Sequence, residues 1–243
     1  MAERPILYST PMIRALLAGR KTVTRRLLKP QPAPNSPHDG GTKWVFDAHK
    51  GLHIPCGTVG HLTVAEKMGL RCPYGQPEDR LWCKETWRVS SEGNHCPSNE
   101  KSLYVEYRAG AVAGFGQQRS KFRVEEDAGL AARAWGKGRS YSWRPSIHMP
   151  RWASRLTLEV VSVRVERLHD ITEEDARLEG MQRYQGPLRW VRWLDVLTGE
   201  PIHNSARDAF AAYFVTLPGG AEAWERNDWV WRVEMRPVEV SHG

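Results

Sequence analysis

The stretch "SRLTLEVVSVRVERL", residues 154 to 168, decides the fold. Apolar side chains hold even positions at Leu156, Leu158 and Val160, then odd positions at Val161, Val163 and Val165. A period of two marks a strand, and the change of parity implies a bulge or sharp bend between Val160 and Val161. Strands that change face in this way turn barrel corners. Immediately downstream, Thr172 and Asp175 in "DITEEDARLEGM" read as a capping box, and Gly180 reads as the stop of a short helix. Glu179 is therefore expected on the last turn of that helix.

The chain closes on a second long strand, "WVWRVEMRPV", with Trp229, Trp231, Val233 and Met235 on one face and Val230, Arg232, Glu234 and Arg236 on the other. At the other end, "PILYS" is short and apolar. Thr10 can cap a helix that begins at Pro11 and buries Ile13, Leu16 and Leu17, and Gly19 ends it. "KTVTRRLL" follows as an extended segment, so Lys21 stands at a corner between helix and strand, a place where side chains are held on both sides.

Between these ends, "GHLTVAEK" suggests a strand pair, "DRLWCKETWRV" (79 to 89) reads as one strand, and "SLYVEYRA" is strand-like. "SARDAFAAYFVTL" suits a helix packed on a core through Ala209, Phe210, Tyr213 and Phe214. The Pro, Gly, Asn and His content from Pro30 to Gly60 is loop chemistry. There is no internal repeat and no series of parallel strand-helix-strand units. Mainly antiparallel strands with a few helices predict an α+β fold, a closed β-barrel with flanking helices, as one domain over residues 1–243.

Composition bounds the partners. The chain of 243 residues is 40% hydrophobic, enough to bury a substantial core. No run approaches the apolar length of a bilayer span, and "MAERPILYST" lacks the order of a signal peptide, so a cytoplasmic protein without membrane contact is expected. The formal charge of +7 and the excess of Arg over Lys favour a phosphate-bearing or nucleic-acid partner. Cys56, Cys72, Cys83 and Cys96 lie near His53 and His95 but form no C-x-x-C pair. Ordinary reduced thiols are the reading, with no metal and no cofactor expected.

The blocks "AGRKTVTRR", "DRLWCKETW", "ITEEDARLEGM" and "NDWVWRVEM", in that order, resemble the ASCH domain family, whose fold is similar to the PUA β-barrel of RNA-binding proteins. "WRPSIHMPRWASR" (143 to 155) is similar to the larger ASCH proteins of phages and prophages. Relative to the smallest members, residues of about 30–60, 91–140 and 182–220 would be insertions. Those members include bacterial N4-acetylcytidine amidohydrolases, and the resemblance implies a catalytic Lys, Thr and Glu, mapped here to Lys21, Thr24 and Glu179. One departure stands out: relatives tend to carry Gly-Asp before the second block, where this chain has Glu78-Asp79.

The chemistry of this set is coherent. Amide hydrolysis at neutral pH needs an activated nucleophile, and a Thr hydroxyl beside a desolvated lysine meets that need. Glu179 would protonate the departing amine or orient Lys21 by an ion pair. Arg25 and Arg26 suit a phosphate or a developing oxyanion. Trp152, His148 and Arg151 interleave aromatic and basic groups, as base stacking and phosphate contact require, with Glu85 and Trp87 as further candidates for the substrate pocket. Strand parity opposes the pairing of Lys21 with Thr24 unless the corner after Gly19 turns Lys21 inward.

The expected function is hydrolysis of an acylated or otherwise modified nucleoside, free or in RNA. The alternatives are a non-catalytic RNA-binding module of the PUA type, and an ASCH-type ribonuclease using Lys21 and His148.

Overall fold

A computed structural model describes residues 1–29, 31, 43–47, 52–56, 70–90, 102–110, 119–123 and 142–238. The chain is a mixed α+β protein in which strands dominate. In order it forms β1 (Glu3–Leu7), α1 (Thr10–Leu17), β2 (Val23–Leu27), β3 (Lys43–Asp47), β4 (Leu52–Cys56), β5 (Arg80–Lys84), β6 (Trp87–Ser90), β7 (Ser102–Tyr107) and β8 (Arg119–Arg123). Then come β9 (Thr157–Arg167), α2 (Glu173–Leu178), β10 (Arg183–Gln185), β11 (Val191–Leu194), β12 (Pro201–His203), α3 (Ala206–Val215), α4 (Gly220–Glu225) and β13 (Trp229–Val238). The strands make four sheets: five strands in the order β1-β5-β9-β13-β2, three in the order β6-β7-β8, three in the order β10-β11-β12, and the β3-β4 pair. β1 and β2 end the five-stranded sheet and are not paired with each other among the described residues. No described helix is long and apolar enough to cross a membrane.

Two compact units emerge, the first of Met1–Arg4, Gly19–Leu81 and Leu158–Arg236, the second of Pro5–Ala18, Trp82–Thr157 and Pro237–Gly243. In the first unit β13 pairs antiparallel with β2, Val230 opposite Leu27 through Glu234 opposite Val23. β13 is buried on both faces, since Trp229 through Val233 are all buried. The face that carries Arg232 and Glu234 is covered at Arg232 and opens toward Arg236, which is exposed. β9 runs unbroken through the change of parity. Burial on even positions ends at Val160, Val161 is exposed, and burial resumes at Val165. Ser162, Arg164 and Glu166 then hold the even positions with polar groups that pair with Glu234, Asp175 and Arg25.

Thr172 caps α2, its hydroxyl accepting from the Asp175 amide at 3.0 Å. The second half of the expected capping box is replaced, because the Asp175 carboxylate is taken by arginines instead. Glu179 is the C-cap residue rather than a member of the last turn, with Gly180 following at φ 100°. Glu173 reaches across to cap α3, accepting from the amides of Ala206 and Arg207 at 3.0 and 3.1 Å. The α3 stripe of Ala209, Phe210, Tyr213 and Phe214 is buried as its periodicity predicts, and Phe210 and Phe214 gather around Trp224.

In the second unit α1 begins one residue earlier than expected, with Ser9 as N-cap and Pro11 in the first turn. It buries Met12, Ile13, Ala15, Leu16 and Leu17. The segment 79 to 89, read as a single strand, is two: β5 ends at Lys84, and β6 leaves to pair with β7, placing Trp87 opposite Tyr107. The strand suggested in "GHLTVAEK" and most of the 30–60 and 91–140 insertions lie outside the described residues.

Candidate functional site

Gly19, at φ 68°, ends α1 in the left-handed conformation that a residue without a β-carbon adopts at least cost. The chain then enters β2 through Lys21, which forms an isolated antiparallel bridge with Glu179. This bridge brings the C-terminus of α2 against the start of β2. Lys21 is only 2% exposed, and its Nζ donates to Glu179 Oε2 at 2.5 Å, to the Glu179 carbonyl at 3.0 Å and to the Val23 carbonyl at 2.7 Å.

The backbone bonding of β2 shows where the Lys21 amine lies relative to the sheet. Thr22 accepts from Met235 and Leu28 donates to Trp229, so even-numbered backbone groups of this segment point toward β13. The Val23 carbonyl therefore points to the opposite edge of β2, which is the outer edge of the sheet. The Lys21 amine sits at that edge and not on one face of the strand. Thr24, buried at 3% exposure, pairs with Val233, and its side chain leaves the face opposite that of Arg25.

Arg25 anchors the rest. Its guanidinium meets Glu166 at 2.5 Å, Asp175 at 3.0 Å and Glu179 at 3.4 Å. Arg232, directly opposite it on β13, grips the other oxygen of Asp175 at 2.9 and 3.1 Å and reaches Glu234 at 3.3 Å. Lys21, Arg25 and Arg232 thus balance Glu166, Asp175 and Glu179 in one continuous network. Charges buried this way are tolerated because each finds an opposite charge and a hydrogen bond.

The titration of the group follows from these neighbours. Burial pushes the Lys21 ammonium below its ordinary pKa and the charges of Arg26 and Arg25 add to this, while Glu179 opposes it. Burial would raise the Asp175 carboxyl, but the Arg232 hydrogen bond and the charges of Arg25, Arg232 and Arg164 outweigh it and hold the pKa below the usual carboxylate value.

The structure therefore brings together Lys21, Arg25 and Glu179 and places Thr24 on the same strand. Arg25 serves the carboxylates around it. Arg26 lies on β2 opposite Trp231. Glu85, Trp87, His148, Arg151 and Trp152 belong to the second unit. There, Glu85 is buried in a two-pronged pair with Arg155, both contacts at 2.9 Å, and the Arg155 guanidinium lies 4.1 Å from the centre of the Tyr107 ring. Trp87 is buried edge-on to Trp152 with Arg144 over its ring, while His148 and Arg151 are exposed.

Asp175, Glu166 and Arg232 escaped the sequence reading. The polar even positions of β9 and β13, on neighbouring strands, are the signal that could have found Glu166 and Arg232.

Among the described residues no cluster of His, Cys, Asp and Glu is arranged to hold a metal. Cys72 and Cys83 are buried thiols outside any disulfide. Burial pushes the Cys72 thiol up to about 12, which suits an inert residue. The side chains of Cys56, Cys96, His53 and His95 lie outside the described residues. The chain matches no family model, no curated protein and no solved structure.

Proposed function

We propose that the chain is an ASCH-type hydrolase that cleaves the amide bond of an acylated nucleoside of the N4-acetylcytidine kind. The observation that carries the reading is Lys21: an amine removed from water, lowered in pKa by that burial, and held by a carboxylate at a strand corner. A lysine in that condition reaches its neutral, basic form more readily than a solvated one.

In the proposed reaction the neutral Lys21 amine takes the proton of the Thr24 hydroxyl, and the Thr24 oxygen bonds to the acyl carbon. The carbon–nitrogen bond breaks, and the leaving nitrogen takes its proton from the Lys21 ammonium. Water then hydrolyses the threonyl ester and releases the free acid. Glu179 is a positioning residue in this scheme. Its two carboxylate oxygens are bonded to Lys21 and Arg25 and hold the amine in place. The five-stranded sheet belongs, on the same reading, to a PUA-like barrel. Its support is the order of the blocks along the chain and the approach of the second strand to the end of the helix after the long bent strand.

The test is turnover of N4-acylated cytidines by the purified protein. Thr24→Ala should lower kcat by a hundredfold or more, on the order of what an activated nucleophile and its base contribute, while Thr24→Ser retains turnover. The rate should rise with pH as Lys21 loses its proton. A folded wild-type protein with no turnover, or a Thr24→Ala variant as active as wild type, sinks the reading.

A further inference from the structure

The segment "MQRYQGPLRWVRWL", residues 181 to 194, carries Arg183, Arg189 and Arg192 and no acidic residue. It builds two strands of the β10-β11-β12 sheet, whose two faces differ sharply. Arg183 is opposite Trp193, and Trp193 is buried, so that face turns inward. Tyr184 is opposite Arg192 on the other face. His203 is opposite Trp193, which puts its neighbour Ile202 on the outer face as well.

The outer face is exposed and aromatic. Tyr184 is 39% exposed, Trp190 41% and Ile202 57%. The Tyr184 and Trp190 rings lie 5.6 Å apart, and the Arg192 guanidinium stands 5.9 Å from the Trp190 ring. The loop that presents Trp190 is tightly built. Gly186 donates to the Trp190 carbonyl at 2.9 Å, and a β-carbon at Gly186 would run into the indole. Arg189 takes a left-handed backbone at φ 60°, which costs a residue with a side chain. Backbone strain and a glycine contact hold a large ring partly in water, where burial gives no reason for it.

We infer that this outer face is a stacking platform for single-stranded nucleic acid. Unpaired bases would lie on Trp190 and Tyr184, and the backbone phosphates would meet Arg189 and Arg192. The charge of the segment and its exposed rings fit this partner together: phosphates supply the negative charge, and unpaired bases supply the ring faces that an acidic peptide or a lipid headgroup lacks. A duplex keeps its bases stacked on one another and cannot use the platform. The inference is independent of the hydrolase reading, because none of these residues belongs to the Lys21 network.

The test is fluorescence anisotropy of labelled oligouridylate, oligothymidylate and a duplex of equal length with the full chain, beside phosphatidylserine vesicles and polyglutamate. Trp190→Ala and Tyr184→Ala should each weaken single-strand binding about fivefold or more, at unchanged charge, since one base stacked on one aromatic ring contributes that much or more. Trp190→Phe should bind nearly as wild type. Arg192→Gln should reduce the salt dependence by about one phosphate contact. The two single strands distinguish RNA from DNA, and tight binding of either supports the platform. Single-strand binding that is unchanged in both alanine variants overturns it, as does a duplex bound as tightly as single strands. Binding of vesicles or polyglutamate that is lost in the alanine variants, with no oligonucleotide binding, also overturns it. Failure of the hydrolase reading would show separately, as absent acyl-cytidine turnover in wild type and variants alike.

Discussion

Glu78 carries a side chain on backbone that favours glycine. It sits at φ 74°, the conformation suited to the glycine expected there, and its amide donates to the Val160 carbonyl at 2.9 Å. Left-handed backbone costs a side-chain-bearing residue about 1–2 kcal/mol. Glu78→Gly should therefore stabilise the protein by roughly 1 kcal/mol, raising Tm by about 2–4 °C in a chain of this size. An unchanged or lower Tm would show that the Glu78 backbone carries no strain. Asp175 is the opposite case, a residue that looked like a cap and proves to be a hub. Its carboxylate meets Arg25 and Arg232, so Asp175→Ala leaves two buried guanidinium groups short of a partner. The expected loss is about 3–5 kcal/mol in urea unfolding, and a loss under about 1 kcal/mol would mean that the network is incidental to stability. Lys21 was legible as a corner residue after Gly19, and Glu179 as a helix-end residue before Gly180 that only the resemblance singled out. Asp175 was not, because an acidic residue three after a Thr is read locally as a cap, and its partners lie on strands distant in sequence.

At the scale of elements, local chemistry was legible wherever local chemistry decided the outcome. The Thr172 cap, the α3 stripe and the parity shift in β9 all follow from near neighbours. Thr172→Ala should cost about 1 kcal/mol and loosen the first turn of α2, the short helix whose C-cap is Glu179. Circular dichroism melts and acyl-cytidine turnover would report the two effects, and a variant as stable as wild type would show that other contacts hold α2 in place. The division of 79–89 into β5 and β6 was illegible for the complementary reason. Propensity favours one strand throughout, but Glu85 is claimed by Arg155, and beyond it Trp87 pairs with Tyr107. Tertiary pairing overrides β-propensity at that point. The sequence divides β13 into two faces but does not show what its charges meet, because the partners of Arg232 and Glu234 stand on α2 and β9.

For the whole molecule, the buried charges set the dependence of stability on pH. The Asp175 carboxyl has a folded pKa below its unfolded value of about 3.9, so the unfolded chain takes up this proton first as the pH falls. Its contribution is complete above the unfolded value and is lost as the pH drops through it toward the folded one. Lys21 acts in the same sense on the alkaline side. Its folded pKa is depressed, so the unfolded chain holds the proton longer, and the resulting penalty is relieved as the pH rises toward the ordinary lysine value of about 10.4. The urea midpoint should fall between about pH 5 and about pH 3, and Asp175→Asn should flatten that fall. An equal slope in the variant would place the acid sensitivity elsewhere. The pairing of β2 with β13 bears finally on how the chain is made. Residues 23 to 27 find their strand partner only at 230 to 234, and Lys21 must wait for Glu179. During synthesis the start of the chain leaves the ribosome long before either partner exists. The Lys21 corner therefore stays open, its amine in water, until Glu179 and then residues 230 to 234 have emerged.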